Sequence, residues 1–352
     1  MWGLFPNLFI SVPVFADDSA GQIQSFHPPV TITRADGMDI PASNDIPLYP
    51  GDRIITGEKG RVEFLFHNGP VFILEEDAEV LLDELIKTDA KRPSYVLNLI
   101  SGFLKSIIEP VRDGQSDPLI YTPTSVIGVR GTEFDTVAAI DGGTAIAVDR
   151  GAVAVTANDN DDQVILKVGR MVELDVEGHI SKPVLAPRVW KRDWRAWRKA
   201  RKQKFLTRLP SLLPVLEKRF QAKIGNFKEL NTQTLKDARD MMEYGLRYKN
   251  ARQNQNRRVA AKARRKFQGV KLRFQKNITA YTLRARRVKF SSRMILRMKN
   301  AFEKNRSLFK PADQQILAAQ LDKMAGESTA LLQMIRKTGM KIKKFKKIKK
   351  NS

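Results

Sequence analysis

The chain has 352 residues, with 62 Lys and Arg against 38 Asp and Glu and a formal net charge of +24. It contains no cysteine and three isolated histidines, which excludes disulfides and thiolate zinc sites and argues against a histidine metal centre or a Ser-His-Asp triad. The charge is divided sharply, because residues 1–187 carry 14 basic and 28 acidic side chains, whereas residues 188–352 carry 48 and 10. This division predicts two modules, of which the basic one needs an anionic partner or the acidic module itself.

The first residues of the chain have the pattern of an export signal. Residues 1–15 are almost all apolar or small, and Val14 and Ala16 occupy the −3 and −1 positions of a signal-peptidase site. We interpret residues 1–16 as a signal peptide, with a buried strand or an uncleaved anchor as the alternatives, since no Lys or Arg precedes the apolar run. Charges interrupt every later apolar run, so we expect an exported protein of the periplasm or cell envelope that is peripheral rather than transmembrane.

Residues 17–182 are predicted to form an all-β domain. Arg61–Phe66 and Val71–Leu74 flank an Asn-Gly pair, which is a strong hairpin signal. Many short strands with regular turns indicate a sandwich, roll or barrel rather than a parallel α/β sheet. The further predicted strands span residues 80–86, 95–100, 103–108, 125–129, 133–140, 144–148, 152–156, 164–168 and 171–176, with a turn at Gly102.

Two motifs in this region resemble the FecR domain. They are residues 49–57 (YPGDRIITG) and residues 122–134 (TPTSVIGVRGTEF). We interpret their residues as structural, with glycines suited to a tight turn or bulge: Gly51, Asp52, Arg53, Thr122, Pro123, Gly128, Arg130, Gly131, Thr132 and Phe134. For Arg130, an exposed ligand contact is the alternative to a structural pair with a carboxylate. The resemblance covers about residues 21–177 and implies an exported domain of bacterial envelope proteins, best known from transmembrane anti-sigma regulators. Because no sigma-binding helical domain with a membrane span precedes the motifs here, we do not expect the sigma-regulatory function itself.

No pattern in the β domain predicts catalysis or a cofactor. The acidic groups at residues 75–77 and 159–162 lack the alternating spacing of a calcium loop, so they are predicted to be solvated turns. Paired carboxylates and nucleophile motifs do not stand out. We therefore expect neither an enzyme nor a metal protein.

After a proline-containing linker at residues 183–189, residues 190–352 have a helix-forming, basic composition. Pro210 and Pro214 are predicted to end a first helix, and Thr234 with Asp237 resembles a capping pair that opens another. Apolar residues at spacings of three and four between residues 263 and 302 indicate a coiled-coil or bundle helix, with breaks suggested at residues 250–256 and at Gly269. Pro311 is predicted to begin a last helix over residues 312–338, which leads into a lysine-rich tail at residues 341–350.

These observations predict an α+β multidomain protein: an all-β FecR-like sandwich or roll, then an elongated basic helical domain. We interpret it as a non-catalytic envelope scaffold whose β domain binds an envelope protein or glycan. Its helices would dock on anionic lipid or cell-wall polymer through Trp190, Trp194, Trp197, Lys341, Lys343, Lys344, Phe345, Lys346 and Lys347.

Other interpretations of the chain stay open. The basic helices could pair with the acidic β domain, or form a homo-oligomer. The protein could be a FecR-like signalling regulator that acts with a membrane partner. If residues 1–16 are not a signal peptide, it could bind nucleic acid, which an exported protein would not meet.

Overall fold

The computed structural model describes residues 19–67, 69–85, 94–109, 118–129, 131–158, 162–187 and 190–350. The predicted signal peptide at residues 1–16 lies outside these ranges. In the described chain a β domain (residues 19–187) is followed by a helical domain (residues 190–350), which confirms the predicted α+β class.

The β domain contains seventeen strands in the described residues. They are β1 Gly21–His27, β2 Val30–Thr33, β3 Asp39–Pro41, β4 Pro47–Leu48, β5 Arg53–Thr56, β6 Arg61–Phe66, β7 Val71–Leu74, β8 Glu79–Leu85, β9 Ser94–Ile107, β10 Leu119–Tyr121, β11 Ser125–Val129, β12 Glu133–Ala138, β13 Thr144–Arg150, β14 Ala152–Ala157, β15 Gln163–Lys167, β16 Arg170–Leu174 and β17 Val184–Leu185. The helical domain contains α1 Trp190–Gln253, α2 Arg257–Lys304 and α3 Pro311–Lys350, with a short 3-10 turn at Arg306–Leu308.

The strands form two sheets that share β9. Sheet I has the order β4–β1–β6–β7–β9–β12–β13–β16–β17. Sheet II has the order β3–β2–β5–β8–β9–β10–β11–β14–β15. All pairs are antiparallel except β9 with β10. The first half of β9 belongs to sheet II and the second half to sheet I, so this strand joins the two layers at one corner.

Gly102 lies at the corner of β9. Its φ of 105° is in the left-handed region, and a Cβ there would lie only 2.1 Å from the Cβ of Ala78. Glycine therefore allows the strand to change sheets without ending. The predicted turn between separate strands at residues 95–100 and 103–108 is wrong, because neighbours on both sides keep the chain extended through Gly102.

The core of the β domain lies between the sheets. In β6 and β7 every second residue is buried, as expected for strands with one face toward a core. Phe64, Phe66 and Phe72 are fully buried, with ring centroids 5.1–6.2 Å apart. Full burial of each such side chain contributes roughly 1.5–3 kcal/mol. The hairpin predicted from alternation and the Asn-Gly pair is confirmed, whereas no pattern predicts the short strands β3, β4 and β17.

The first helix differs from the prediction. α1 continues through Pro210 and Pro214, where the sequence predicted an end. Both prolines lie on the exposed side, so the carbonyls that lose a helical hydrogen bond can face water. The opposite side, with Leu209 and Leu213, is fully buried in the bundle core and keeps the helix continuous.

The predicted cap at Thr234 is also wrong, since Thr234 lies inside α1 and its hydroxyl donates to the carbonyl of Leu230 at 2.7 Å. Residues 254–256 do form the break between α1 and α2, and the side chain of Asn256 accepts from the N–H of Val259. Gly269 does not interrupt α2. Pro311 begins α3 as predicted, although α3 reaches Lys350 rather than residue 338.

The three helices fold back on one another as a bundle. The rings of Phe227 in α1 and Tyr281 in α2 lie 5.6 Å apart, and Lys299 of α2 pairs with Asp322 of α3 at 2.6 Å. These contacts place α1 antiparallel to α2 and α2 antiparallel to α3, so the helical domain is a folded-back bundle and not one continuous helix. None of the helices in the described part of the chain combines the length and apolar character that a membrane crossing requires.

Candidate functional site: the contact between the β domain and the helices

The start of α1 packs on the outer face of sheet I. Trp194 is 2% exposed, and its ring lies 5.0 Å from that of Phe103 in β9. Its other apolar neighbours are Val137, Ala145, Ala147 and Met171. The indole that was predicted to face an anionic surface is instead covered by the β domain, because this sheet face is apolar and would otherwise meet water.

The other two tryptophans differ from Trp194. Trp197 is partly buried beside the same cluster, with the guanidinium of Arg201 5.0 Å from its ring. The side chain of Trp190 lies outside the described residues. Trp194 and Trp197 therefore do not form the exposed aromatic surface that the sequence predicted.

Arginines next to Trp194 bind acidic turns of the β domain. Arg195 pairs with Glu76, Arg198 donates to the carbonyl of Asp77 at 3.0 Å, and Arg201 pairs with Asp141 at 2.8 Å. The prediction of a solvated turn at residues 75–77 is wrong for Glu76, because the helix covers it. The long arginine side chains reach these turns from beside the buried indole.

A second contact is centred on Glu79 of β8. Its carboxylate accepts from Arg297 at 2.9 Å and from Arg293 and Arg53 at 3.3 Å each. Burial by itself raises the pKa of Glu79, but the positive charges of Arg297, Arg293 and Arg53 outweigh it and hold the pKa below its ordinary value. The carboxylate is therefore ionised at neutral pH.

Two guanidinium groups at this junction, those of Arg198 and Arg293, are themselves poorly hydrated. Burial lowers the pKa of Arg198 to about 10, with a further contribution from the charge of Arg297, and burial lowers the pKa of Arg293 as well. Both side chains stay protonated at neutral pH. The junction therefore holds several arginines around fewer carboxylates in a partly dry environment.

Asp83, on the same face of β8 as Glu79, extends this contact. Lys289 of α2 pairs with Asp83 at 3.2 Å, and Arg286 lies 4.0 Å from it. The guanidinium of Arg286 also lies 4.8 Å from the ring centroid of Tyr121 in β10. This row of cations could be predicted from the sequence, since residues 286, 289, 293 and 297 lie on one face of a helix.

Most FecR-motif residues serve the β fold. Gly51 has φ 102°, and buried Asp52 accepts from the N–H of Tyr49 at 2.8 Å and from Arg34 at 2.5 Å. The hydroxyl of Thr122 accepts from the N–H of Ser125 at 2.9 Å.

Of the remaining motif residues, Gly128 and Phe134 lie in strands, whereas Pro123, Gly131 and Thr132 lie between strands. Phe134 is buried between the sheets, and the carbonyl of Thr132 accepts from the N–H of Ile108 at 2.9 Å. Gly128 is paired with Ala154 in the register of β11 and β14. Pro123 lines a narrow cleft against α2, Gly131 follows β11, and Arg130 lies outside the described residues. Arg53 also takes part in the junction with the helices, through its pair with Glu79.

The lysine-rich tail continues α3. Lys341 is exposed and Ile342 is buried against the bundle. The side chains of Lys343, Lys344, Phe345, Lys346 and Lys347 lie outside the described residues. The tail is therefore attached to the helical domain through its first turn.

An exposed turn brings together Asp175, Glu177 and His179, whose ligand atoms lie within 4.8 Å of one another. His179 Nδ1 lies 3.0 Å from Asp175 Oδ2, and this contact raises the pKa of His179. These atoms could hold a cation, which the isolated positions of the histidines did not predict. The imidazole and the carboxylate already pair with each other, so the turn is explained without one.

Comparison with known proteins agrees with the motifs. The family model described as FecR protein matches residues 52–154. Two solved structures, both described as a "putative anti-sigma factor" from Parabacteroides distasonis, are similar at 15% identity and a TM-score of 0.33. Each alignment covers 40% of this chain and 63% of the other, so the chain spans less than two thirds of their length. No curated protein matches the chain. By the match of the family model, residues 52–154 are a FecR domain, and the resemblance predicted from the motifs is confirmed there.

Proposed function

We propose that this protein is a non-catalytic, FecR-type regulator of the bacterial cell envelope whose helical domain binds its own FecR domain. The observation that carries the proposal is the position of Glu79, Asp83 and Asp141. All three lie within residues 52–154, and all three pair with cations of α1 or α2.

The chemistry of this contact suits regulation. Much of it consists of ion pairs between long side chains and acidic turns, and polar contacts of this kind are typical of domain interfaces that can separate. A partner that competes for either set of charges would shift the balance between docked and undocked states. A ligand can shift that balance only by its difference in affinity for the two states.

The β domain also has a surface, outside residues 52–154, on which a protein partner could act. β15 ends sheet II and β17 ends sheet I, and large apolar side chains are exposed there. Ile165 is 56% exposed and Leu185 is 72% exposed, with Val168 and Val184 nearby in the chain. Terminal strands with exposed apolar side chains are better suited to bind a protein that adds a strand to the sheet than to bind a glycan. The regulator would receive its signal at this edge.

Transcript measurements in the organism that encodes the protein test the regulatory role. Deletion of the gene is expected to change a defined set of transcripts. Expression of the wild-type protein or of Met38→Asp should restore these transcripts, whereas the double variant Ile165→Asp with Leu185→Asp should not. Met38 is a matched control because it is as exposed as Ile165, at 57%, and lies just before β3, away from β15 and β17. An unchanged transcript profile after deletion would overturn the regulatory proposal and leave the scaffold interpretation.

The envelope location is part of the same proposal and has a separate test. Export predicts a mature protein that begins at Asp17 and fractionates with the periplasm. A full-length protein that begins at Met1 and stays in the cytoplasm would contradict it and would favour the nucleic-acid alternative.

A second candidate function is docking of the helical domain on an anionic surface. The contacts described above use seven cations of α1 and α2, whereas residues 188–352 contain 48 Lys and Arg. The first described residue of the tail, Lys341, is exposed. Each lysine near an anionic membrane contributes about 1 kcal/mol, so the tail suits anionic lipid or wall polymer.

Sedimentation with anionic vesicles, with cell-wall polymer and with duplex DNA, at low and high salt, tests this candidate. Replacement of four tail lysines by glutamine is expected to weaken vesicle binding far more than four replacements on α1. The tail set is Lys343, Lys344, Lys346 and Lys347, and the control set is Lys199, Lys202, Lys204 and Lys218. Equal effects of the two sets would contradict a role for the tail.

A further inference from the structure

A cleft of about 770 Å³ opens where β5 and β8 of the FecR domain meet α2 and α3. This volume lies within the range of sites that bind small molecules. Four cations line the cleft, Arg53, Arg293, Arg297 and Lys299, together with two carboxylates, Glu79 and Asp322. Its walls therefore carry two more positive than negative charges.

The arginines of the cleft have more donors than the carboxylate of Glu79 can accept. Three guanidinium groups share its two oxygens. Among the described residues, the buried Nε atoms of Arg53 and Arg293 have no hydrogen-bond partner. Because both Nε atoms are closed to solvent, an anion in the cleft would bind the other N–H groups of Arg53, Arg293 and Arg297, whose side chains are 26%, 19% and 25% exposed.

The wall formed by α3 leaves room for a ligand. Ala325, Gly326 and Thr329 face the cleft, and a Cβ built at Gly326 would meet no other atom within 4 Å. Small residues opposite an arginine cluster produce a pocket that is open at its centre. The glycine therefore keeps free the space that a larger side chain would fill.

We propose that this cleft binds a compact phosphate-bearing anion at the junction of the FecR domain with α2 and α3. Guanidinium forks match phosphate oxygens in pairs, and a phosphate monoester carries about −1.5 to −2 at neutral pH, which balances the charge excess. The inference goes beyond the proposed regulatory role and does not depend on it. It adds a ligand that would bind only where the two domains meet.

Calorimetric titration of the full chain with pyrophosphate, at constant ionic strength set with sodium chloride, tests the site. Gly326→Leu should fill the cleft and weaken binding at least about tenfold, a change of about 1.4 kcal/mol. Gly339→Leu is the matched control, because Gly339 is also a glycine of α3 with open space at its Cβ and does not line the cleft. It should bind as wild type does.

Charge variants give a second, independent readout. Lys299→Gln should weaken pyrophosphate binding, whereas Lys323→Gln should not, although both lysines form comparable surface pairs, with Asp322 and Glu217. Glu79→Gln should tighten pyrophosphate binding. The ligand and the carboxylate of Glu79 compete for the same arginines, and the substitution removes the carboxylate charge. If Glu79→Gln lowers the stability of the fold but raises the affinity for pyrophosphate, the cluster is a ligand site and not purely structural.

A parallel titration with vesicles that contain phosphatidic acid distinguishes a free phosphate compound from a lipid headgroup. Both glycine variants are made for it in the chain whose four tail lysines are replaced by glutamine, so that the tail does not bind the vesicles. Loss of vesicle binding in Gly326→Leu but not in Gly339→Leu, without binding of pyrophosphate, would support the site with a lipid as the source. Absence of binding to both probes, or equal binding by the two glycine variants, would overturn the proposal. Neither result would touch the regulatory role, which is measured by transcripts.

Discussion

The helical domain touches the FecR domain in two places that differ in their chemistry. At the start of α1, the ring of Trp194 is buried on an apolar sheet face beside Phe103. On α2, Arg293 and Arg297 surround the carboxylate of Glu79. Burial of an aromatic ring contributes directly to stability, whereas desolvation offsets much of the attraction between buried charges. We infer that α1 supplies most of the affinity and that α2 fixes which faces meet.

The largest expected effect tests the apolar contact. Trp194→Ala should lower the free energy of unfolding of the full chain by about 3–5 kcal/mol, because it leaves a cavity against sheet I. Chemical denaturation measures the change. Trp197→Ala should have a smaller effect, since Trp197 is only partly buried. Equal losses for the two variants would contradict the central position of Trp194.

Replacement of Glu79 by glutamine tests the charged contact. Glu79→Gln leaves three guanidinium groups without their shared charge, and we expect a loss of about 2–3 kcal/mol, because the amide keeps one acceptor oxygen. Glu58→Gln, at an exposed turn, is the matched control and should change stability by less than about 0.5 kcal/mol. If Glu79→Gln is as neutral as the control, the charged contact does not hold the domains in register.

The pH dependence sharpens the same comparison. Because the pKa of Glu79 in the folded protein lies below its ordinary value of 4.5, the ionised carboxylate stabilises the fold above that pH. This stabilisation is lost as the pH falls through the lower, folded-state pKa. The difference in unfolding free energy between wild type and Glu79→Gln should be constant near neutral pH and shrink in acid. A difference that grows in acid would contradict the assigned direction of the shift.

The smallest effect is expected away from both contacts. Asp175 raises the pKa of His179 above its ordinary value of 6.5 through their hydrogen bond. Asp175→Asn should return the pKa of His179 toward that value, which NMR titration of the imidazole measures. Docking of the helices should not change. An unaltered imidazole pKa in this variant would show that the pair does not form in solution.

Local patterns predicted the parts of the fold that depend on local interactions. The alternation in Arg61–Phe66 and the following Asn-Gly pair were sufficient for the β6–β7 hairpin. The path of β9 through Gly102 was not predictable, because partners on both sides of the strand decide it. Packing of Leu209 and Leu213 likewise overrides the helix-breaking tendency of Pro210 and Pro214 in α1.

The junction was harder to predict than the fold. The charge division predicted that the helical half binds anionic groups, with the acidic β domain as one of several possible partners. Glu79 and Arg297 are 218 positions apart in the sequence, and no short-range signal links them. Trp194 was predicted to face an outside surface because its neighbours in the helix are basic. Those same arginines reach around the buried ring to carboxylates of the β domain.

Cleavage of the folded chain between the domains tests the central claim most directly. A protease site inserted between residues 187 and 188 lets the intact protein fold first and then separates its covalent halves. If the helical domain binds its own FecR domain, the two fragments will elute together in size-exclusion chromatography at about 0.15 M salt. They will separate when Trp194→Ala and Glu79→Gln are combined. Wild-type fragments that separate at this salt concentration would contradict the account.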